Sequence, residues 1–262
     1  MADLLLIGIL ATGVTAAASS DRLARPIRLA AAVAVTLVLI VGTALTGSRT
    51  GISLLLLVVP LQGLLLCGLL EVRQAKWLGL TLAGLVLLFA AGAYLLHDNL
   101  VVDRTAARFL LGEDPRVKIW EDTRFAIAQL WPWGAGLGNF TPALLAIERL
   151  EVVDPTSPNR AHNDYLEFAL EAGLPGYILG AAAAVVVLAL VIRAWRAPPF
   201  GWRAVLFSLG TLAIIALHSL VDYPLRSMAL AVLVGSGVGM LAPSVHLRQS
   251  VRGTSPKRLV PG

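Results

Sequence analysis

Ala161-His162-Asn163-Asp164-Tyr165-Leu166-Glu167-Phe168-Ala169-Leu170-Glu171-Ala172-Gly173-Leu174-Pro175-Gly176 decides how this chain folds. Its first part is polar and aromatic; from Leu174 the chain turns continuously apolar to about residue 193. The stretch therefore closes a charged segment, residues 98–173, in a sequence that is otherwise membrane-like. Asp164, Glu167 and Glu171 recur at helical spacing and share one face, while His162, Tyr165, Leu166 and Ala169 line another. A chain that keeps one long polar loop among apolar segments has a rigid scaffold on which that loop can carry function.

Composition supports the same division. The 262 residues are 57% hydrophobic and 14% charged, with a mean hydropathy of +0.79. Soluble domains carry about 25% charged residues. Repeated apolar runs of about 20 residues match the thickness of a bilayer core. Only helices or closed barrels satisfy their backbone in lipid, and these runs are continuously apolar instead of alternating, so helices are expected. The net charge of +5 and a pI near 9.9 do not imply a nucleic-acid partner, because the cations sit in short connections between apolar runs. The single cysteine, Cys67, excludes an internal disulfide and lies in an apolar run as a small buried or lipid-facing residue.

The expected fold is all-α: a polytopic membrane protein of about seven transmembrane helices with one long helical loop on the outer side. The apolar segments are residues 4–20, 28–46, 51–70, 77–96, 174–193, 204–220 and 227–243. Residues 1–97 thus form an N-terminal helical region, 98–173 the loop, 174–245 a C-terminal helical region and 246–262 a basic tail. Arg22, Arg25 and Arg28, then Arg73 and Lys76, then Arg193, Arg196 and Arg203, then Arg248, Arg252, Lys257 and Arg258 all fall on one side if the segments alternate. The positive-inside bias makes that side cytoplasmic. The N-terminus and the long loop then face outward. A cleaved signal peptide fits the first segment poorly, since it lacks a basic start and carries Asp3.

Glu113-Asp114-Pro115 marks a helix start, with an acidic cap and proline at the first position, and predicts a helix from Pro115 to Trp131. Arg116, Trp120, Thr123, Ile127 and Trp131 share one of its faces, and the tryptophans suit a membrane interface. Ser157-Pro158 is expected to open a second helix that ends at Gly173.

Gly134-Ala-Gly136-Leu-Gly138-Asn139 falls short of a dinucleotide fingerprint, because Asn139 stands at the third glycine position and a helix precedes it. A tight turn is the expected role. His97, His162, His218 and His246 are scattered without ligand spacing, so no metal site and no cofactor are expected. His162 stands out, in the outer loop beside an amide and a carboxylate. An imidazole there is able to take a proton from a sugar hydroxyl, although most loop histidines do no chemistry. Arg49 stands alone in a short outer turn, against the charge bias; a guanidinium suits phosphate by bidentate donation, or it snorkels at the interface. Arg116 is a second such cation. The loop holds more acids than bases and is no polybasic lipid patch.

These residues resemble a known family. Arg116-Val-Lys-Ile-Trp120, Trp131-Pro-Trp-Gly134-Ala-Gly136-Leu-Gly138-Asn-Phe140 and the His162 to Gly176 stretch, in that order, are similar to the Wzy-C region of bacterial O-antigen ligases, O-antigen polymerases and related O-oligosaccharyltransferases. Ser48-Arg49-Thr50-Gly51 and His218-Ser-Leu-Val-Asp222-Tyr-Pro-Leu-Arg226 extend the likeness over about residues 40–240. The resemblance implies a GT-C-like fold in the bacterial inner membrane, acting on its periplasmic face. It implies a glycan donor carried on undecaprenyl pyrophosphate, an acceptor hydroxyl on lipid A-core or on a glycan, and no metal. It makes His162 the base or acceptor-orienting group, Arg49 and Arg116 the pyrophosphate ligands, and Asp164, Tyr165 and Glu167 substrate-binding candidates.

Family members carry more spans, with both termini cytoplasmic, so the resemblance implies a C-terminal portion. Ligase, polymerase and protein O-glycosyltransferase stay open, since each presents a hydroxyl to the same base. A transporter is the rival class. It would place ionisable groups inside the spans near the midplane, whereas here they concentrate in one loop. An inactive fragment is the remaining alternative. In a Cys67→Ala background, an impermeant thiol reagent added outside should label Arg160→Cys and spare Arg73→Cys and Arg196→Cys. The opposite pattern would invert the topology.

Overall fold

A computed structural model describes residues 1–18, 25–67, 69, 116–147, 158–196 and 201–242. Among them all regular structure is helical: α1 (Ala2–Ala18), α2 (Arg25–Leu45), α3 (Arg49–Cys67), α4 (Arg116–Leu130), α5 (Phe140–Ile147), α6 (Asp164–Trp195), α7 (Gly201–His218), a 3-10 turn (Pro224–Arg226) and α8 (Met228–Gly239). The fourth apolar segment, the Glu113–Pro115 cap, Ser157, the basic tail and Arg22, Arg73, Lys76, Arg104, Arg108 and Arg149 lie outside the described residues, as do His97 and His246. The described residues of every other apolar segment are helical for most of their length. Four helices, α2, α3, α6 and α7, are long and apolar enough to cross a membrane; α1 and α8 are shorter apolar helices.

The chain is an all-helical polytopic membrane protein. Leu6, Ile7, Ile9 and Leu10 of α1 are fully buried and pack with Ile40 of α2, Leu54, Val58 and Leu65 of α3 and Phe207, Ile214 and Ile215 of α7. The outer faces stay apolar and exposed, as at Leu56 (83%) and Leu179 (71%), which is what contact with lipid in place of water allows. Without a hydrophobic drive between helices in lipid, close packing and polar ties take over. The Gln62 amide of α3 donates to Thr12 Oγ1 of α1 and Thr36 Oγ1 of α2, each at 3.0 Å. Gly51 at the start of α3 lies so close to α1 that a Cβ there would stand 2.5 Å from the Cβ of Ala2.

The loop folds as a second, smaller core. Ala126 of α4, Phe140 and Leu144 of α5, and Ala161 and Leu170 bury each other. The helix expected from Pro115 to Trp131 is observed as Arg116–Leu130. The helix expected from Ser157 begins later. Residues 158–163 are irregular, and Asn163 caps α6 by accepting from the Leu166 N–H at 3.0 Å. His162 therefore precedes the helix instead of lining one of its faces.

At Gly173 α6 breaks but does not end, with φ 54 and ψ −153 inside a helix that otherwise continues to Trp195. Helical hydrogen bonds run from each N–H to the carbonyl four residues back. Leu174 sends its N–H instead to Pro132 O at 2.8 Å, and Pro175 has no N–H. The carbonyls of Leu170 and Glu171 thus lose their helical donors. The Gly134–Gly138 turn supplies replacements: Ala135 N–H donates to Leu170 O at 2.8 Å and Gly136 N–H to Glu171 O at 2.9 Å. The contact leaves no room for side chains. A Cβ on Gly173 would lie 2.3 Å from Pro132 O, and one on Gly134 would lie 2.6 Å from Glu171 O.

Gly173→Ala adds that backbone collision to an unfavourable φ and should destabilise the protein by at least about 3 kcal/mol. Gly138 also has positive φ but nothing within 4 Å of its would-be Cβ, so Gly138→Ala should cost only about 1 to 2 kcal/mol. Thermal unfolding in detergent micelles ranks them. Equal losses would show that the Gly134–Gly173 contact is not what constrains the break.

Candidate functional site

The polar loop docks on the turn after α7. Beyond His218 the chain presents four successive carbonyls, and groups from the loop take each of them. Asp164 N–H donates to Ser219 O at 3.0 Å and to Asp222 O at 3.3 Å. Asn163 Nδ2 donates to Leu220 O at 2.8 Å, and the Arg116 guanidinium donates to Val221 O. Returning contacts secure the seat. Ser219 Oγ donates to Asp164 Oδ2 at 2.9 Å, and Leu225 N–H donates to the same oxygen at 3.1 Å. The Tyr165 hydroxyl donates to Ala216 O at 3.0 Å.

His162 sits at the centre of this seam. Its neighbours are fixed on both sides: Trp120 Nε1 donates to Ala161 O at 2.9 Å, Ala161 N–H donates to Glu167 Oε2 at 3.3 Å, and Asn163 is held as above. The backbone of His162 is left-handed, with φ 51, alone among the described non-glycine residues. Such a conformation costs about 1 to 2 kcal/mol in an L-residue and persists only where its surroundings impose it. The imidazole leans on the Tyr223 ring, with centroids 5.0 Å apart. Nδ1 is buried and makes no hydrogen bond of good geometry. The acceptor within reach is Asp222 Oδ1 at 3.4 Å. The ring as a whole is 30% exposed, so its open part lies away from Nδ1. A ring held with Nδ1–H towards a carboxylate keeps its Nε2 lone pair for a proton.

Glu167 and Glu171 point inward from the first turns of α6 and are buried. Arg160 Nη1 lies 2.7 Å from Glu167 Oε1. Arg226 Nη2 reaches Glu167 Oε1 at 2.7 Å and Glu171 Oε2 at 2.8 Å. Burial opposes the charge on Arg226, yet its hydrogen bond with Glu171 and the charges of Glu167, Glu171 and Asp164 outweigh that and hold the guanidinium above its ordinary pKa. Of the expected substrate-binding set, Asp164, Tyr165 and Glu167 thus direct their polar atoms to partners within the protein. Arg116 is brought beside the His162 seam. Arg49 opens α3, capped by Ser48, whose Oγ accepts from Gly51 N–H at 3.1 Å. Gly51 adjoins Ala2, and Asp3 reaches His218, so Arg49 and His162 lie at the same end of the bundle. Among the described residues no group of three or more His, Cys, Asp or Glu is arranged to hold a metal ion.

A helical bundle with a docked polar loop carrying a constrained histidine now has a sequence counterpart. The Wzy_C family, described as O-antigen ligase, matches residues 32–180, more than half of the chain. The chain belongs to the O-antigen ligase family. No curated protein matches it. The family segment takes in Arg49, Arg116, His162, Asp164, Tyr165 and Glu167. It stops before His218, Asp222 and Arg226, which the fold brings to the same place. Sequence reasoning assigned no role to Asp222 or Arg226. The signal was there: Asp222-Tyr-Pro-Leu-Arg226 puts two charges in a short polar interruption between apolar segments, the pattern that drew attention to Arg49.

Arg226→Ala would leave Glu167 and Glu171 buried with one fewer cation. The expected loss is about 3 kcal/mol, the low end for such a pair because Arg226 is itself 36% exposed. Arg226→Lys should recover part of it, since an ammonium also donates to both carboxylates. Unfolding in micelles measures both. An unchanged midpoint for Arg226→Ala would remove this ion pair from the account of loop stability.

Proposed function

We propose that this member of the O-antigen ligase family transfers a glycan from an undecaprenyl-pyrophosphate carrier to an acceptor hydroxyl, with His162 as the base. One observation carries the reading: His162 is held in a left-handed backbone with its buried Nδ1 facing Asp222 and the ring partly open elsewhere. In the reaction the acceptor oxygen attacks the anomeric carbon of the donor sugar. The bond from that carbon to the pyrophosphate oxygen breaks, and the hydroxyl proton passes to His162 Nε2. The lipid pyrophosphate leaves with the bonding pair. It is a good leaving group whose main need is charge neutralisation, and Arg49 and Arg116 supply it by charge-assisted contacts. Asp222 steadies the imidazolium as it forms, in the way carboxylates orient catalytic histidines. Catalytic contacts of this kind tighten as the reacting group arrives.

Asp164, Tyr165 and Glu167 act in this scheme by shaping the loop, as their internal partners support. The end of the bundle holding His162 and Arg49 is the periplasmic one, and the membrane is the bacterial inner membrane. The positive-inside distribution and the family support this. Lipid A-core is the proposed acceptor, which makes the reaction that of a ligase.

In proteoliposomes supplied only with outward-facing lipid-linked glycan, the chain should produce glycosylated acceptor. Movement of donor without product would favour a transporter. His162→Ala should lower turnover by about 10² to 10⁴-fold while leaving insertion intact. Arg49→Ala and Arg116→Ala should each lower it about 10- to 100-fold, the equivalent of about 1.5 to 3 kcal/mol per charged contact, with lysine restoring only part. A properly inserted His162→Ala protein that keeps more than about a tenth of the activity would defeat the base assignment.

A further inference from the structure

We infer that Asp3 and His218 form a positioning pair for His162, acting through Asp222. His218 closes α7, and its two ring nitrogens face two carboxylates. Nδ1 lies 2.6 Å from Asp3 Oδ1, and Nε2 lies 3.9 Å from Asp222 Oδ2. The other oxygen of Asp222 is the one 3.4 Å from His162 Nδ1. Carboxylate and imidazole thus alternate over Asp3, His218, Asp222 and His162, from the first turn of α1 to the loop.

The burial of this chain of groups is uneven, and that points to its use. Asp3 is 2% exposed and His218 8%. A carboxylate taken out of water is costly unless paired and hydrogen-bonded, and apolar residues of similar size commonly pack helices at least as well as a buried ion pair does. Holding α1 against α7 therefore does not by itself call for this pair, since Leu6, Leu10 and Ile214 already do so. Asp222 differs. Its side chain is 37% exposed, so water competes for it. Two groups set its orientation: the N–H of Tyr223 on Oδ1 at 3.1 Å, and the His218 ring beside Oδ2. Oδ1 has to point at His162 if the histidine is to keep the tautomer that leaves Nε2 basic. The His218 ring restricts rotation of the carboxylate, and Asp3 restricts rotation of the His218 ring.

None of these three residues lies within the family-matched segment 32–180. They reach His162 only because α1 packs on α7 and the loop seats on the turn that follows. The inference rests on the reading of His162 as base, and two separate measurements keep them apart. The first uses the full chain in proteoliposomes, with an undecaprenyl-pyrophosphate-linked glycan as donor and lipid A-core as acceptor. His218→Ala should lower kcat about 10- to 100-fold, the scale of a displaced catalytic group, with the KM for donor unchanged. Combined with His162→Ala it should cost nothing further, because it acts through that residue. The second needs no substrate. In 15N-histidine spectra of the full chain in micelles, the fraction of His162 in the Nδ1–H tautomer should fall in His218→Ala. Asp3→Asn keeps the shape of the buried side chain and should give an intermediate loss on both measures, which covers the case of a poorly folded His218→Ala.

An additive double variant, a fall in KM-dependent rate alone, or an unchanged His162 Nδ1–H signal in both His218→Ala and Asp3→Asn would overturn the pair's role. If His162→Ala keeps its activity, the base reading fails, while the spectra still decide whether His218 holds Asp222 on His162.

Discussion

The structure depends on two carbonyls that a helix cannot satisfy. Gly173 and Pro175 interrupt α6 where it passes from the loop into its long apolar stretch, and Leu170 O and Glu171 O lose their helical donors. Unpaired backbone groups at the edge of a membrane are costly. The glycine turn at 134–138 meets that cost by donating its own N–H groups, and Leu174 returns the exchange to Pro132. The three bonds fix the register between α4 and α6. That register sets the small apolar core of the loop, in which Phe140 and Leu170 meet, and it aims Glu167 and Glu171 towards Arg226.

A second constraint joins the loop to the bundle. The turn after α7 exposes carbonyls that the helix has no way of pairing, and the segment 163–164 with Arg116 covers them. Helix ends always leave such groups. Here the donors come from residues far away in sequence. The two bonds from the Asp164 N–H are backbone to backbone, with no rotamers to explore, and the Asn163 amide and Arg116 guanidinium complete the seam that places His162 beside Asp222. The left-handed φ of His162 follows from this double attachment, with Ala161 tied to α4 and to Glu167 and Asn163 tied to α7.

The bundle and the loop use polar groups differently. Within the bundle Gln62, Thr12 and Thr36 tie three helices together in surroundings where apolar contact alone gives no preference over lipid. In the loop, the carboxylates of Asp164, Glu167 and Glu171 are engaged by N–H groups, the Ser219 hydroxyl and guanidinium. His162, by contrast, keeps a partly open ring at the seam and a buried Nδ1 with no hydrogen-bond partner.

The sequence by itself determined the helical class and, among the described residues, the apolar segments within a few residues; it also singled out the polar loop with Arg49, Arg116 and His162 as candidates. Hydrophobic runs of bilayer length and charges that interrupt them are local signals, and local signals survive in a linear text. It misplaced the start of α6, because Ser157-Pro158 is a good helix opening in isolation, whereas the actual cap is the Asn163 side chain, and the left-handed backbone of His162 precedes it. It read Gly173 as a helix end when the chain only bends there, since the donors that rescue Leu170 O and Glu171 O come from residues 135 and 136. Only the tertiary structure decided that Asp222 faces His162, that Arg226 joins Glu167 to Glu171, and that Asp3 meets His218 across the chain. Such pairings depend on which helix ends stand together, and no spacing along the sequence encodes that.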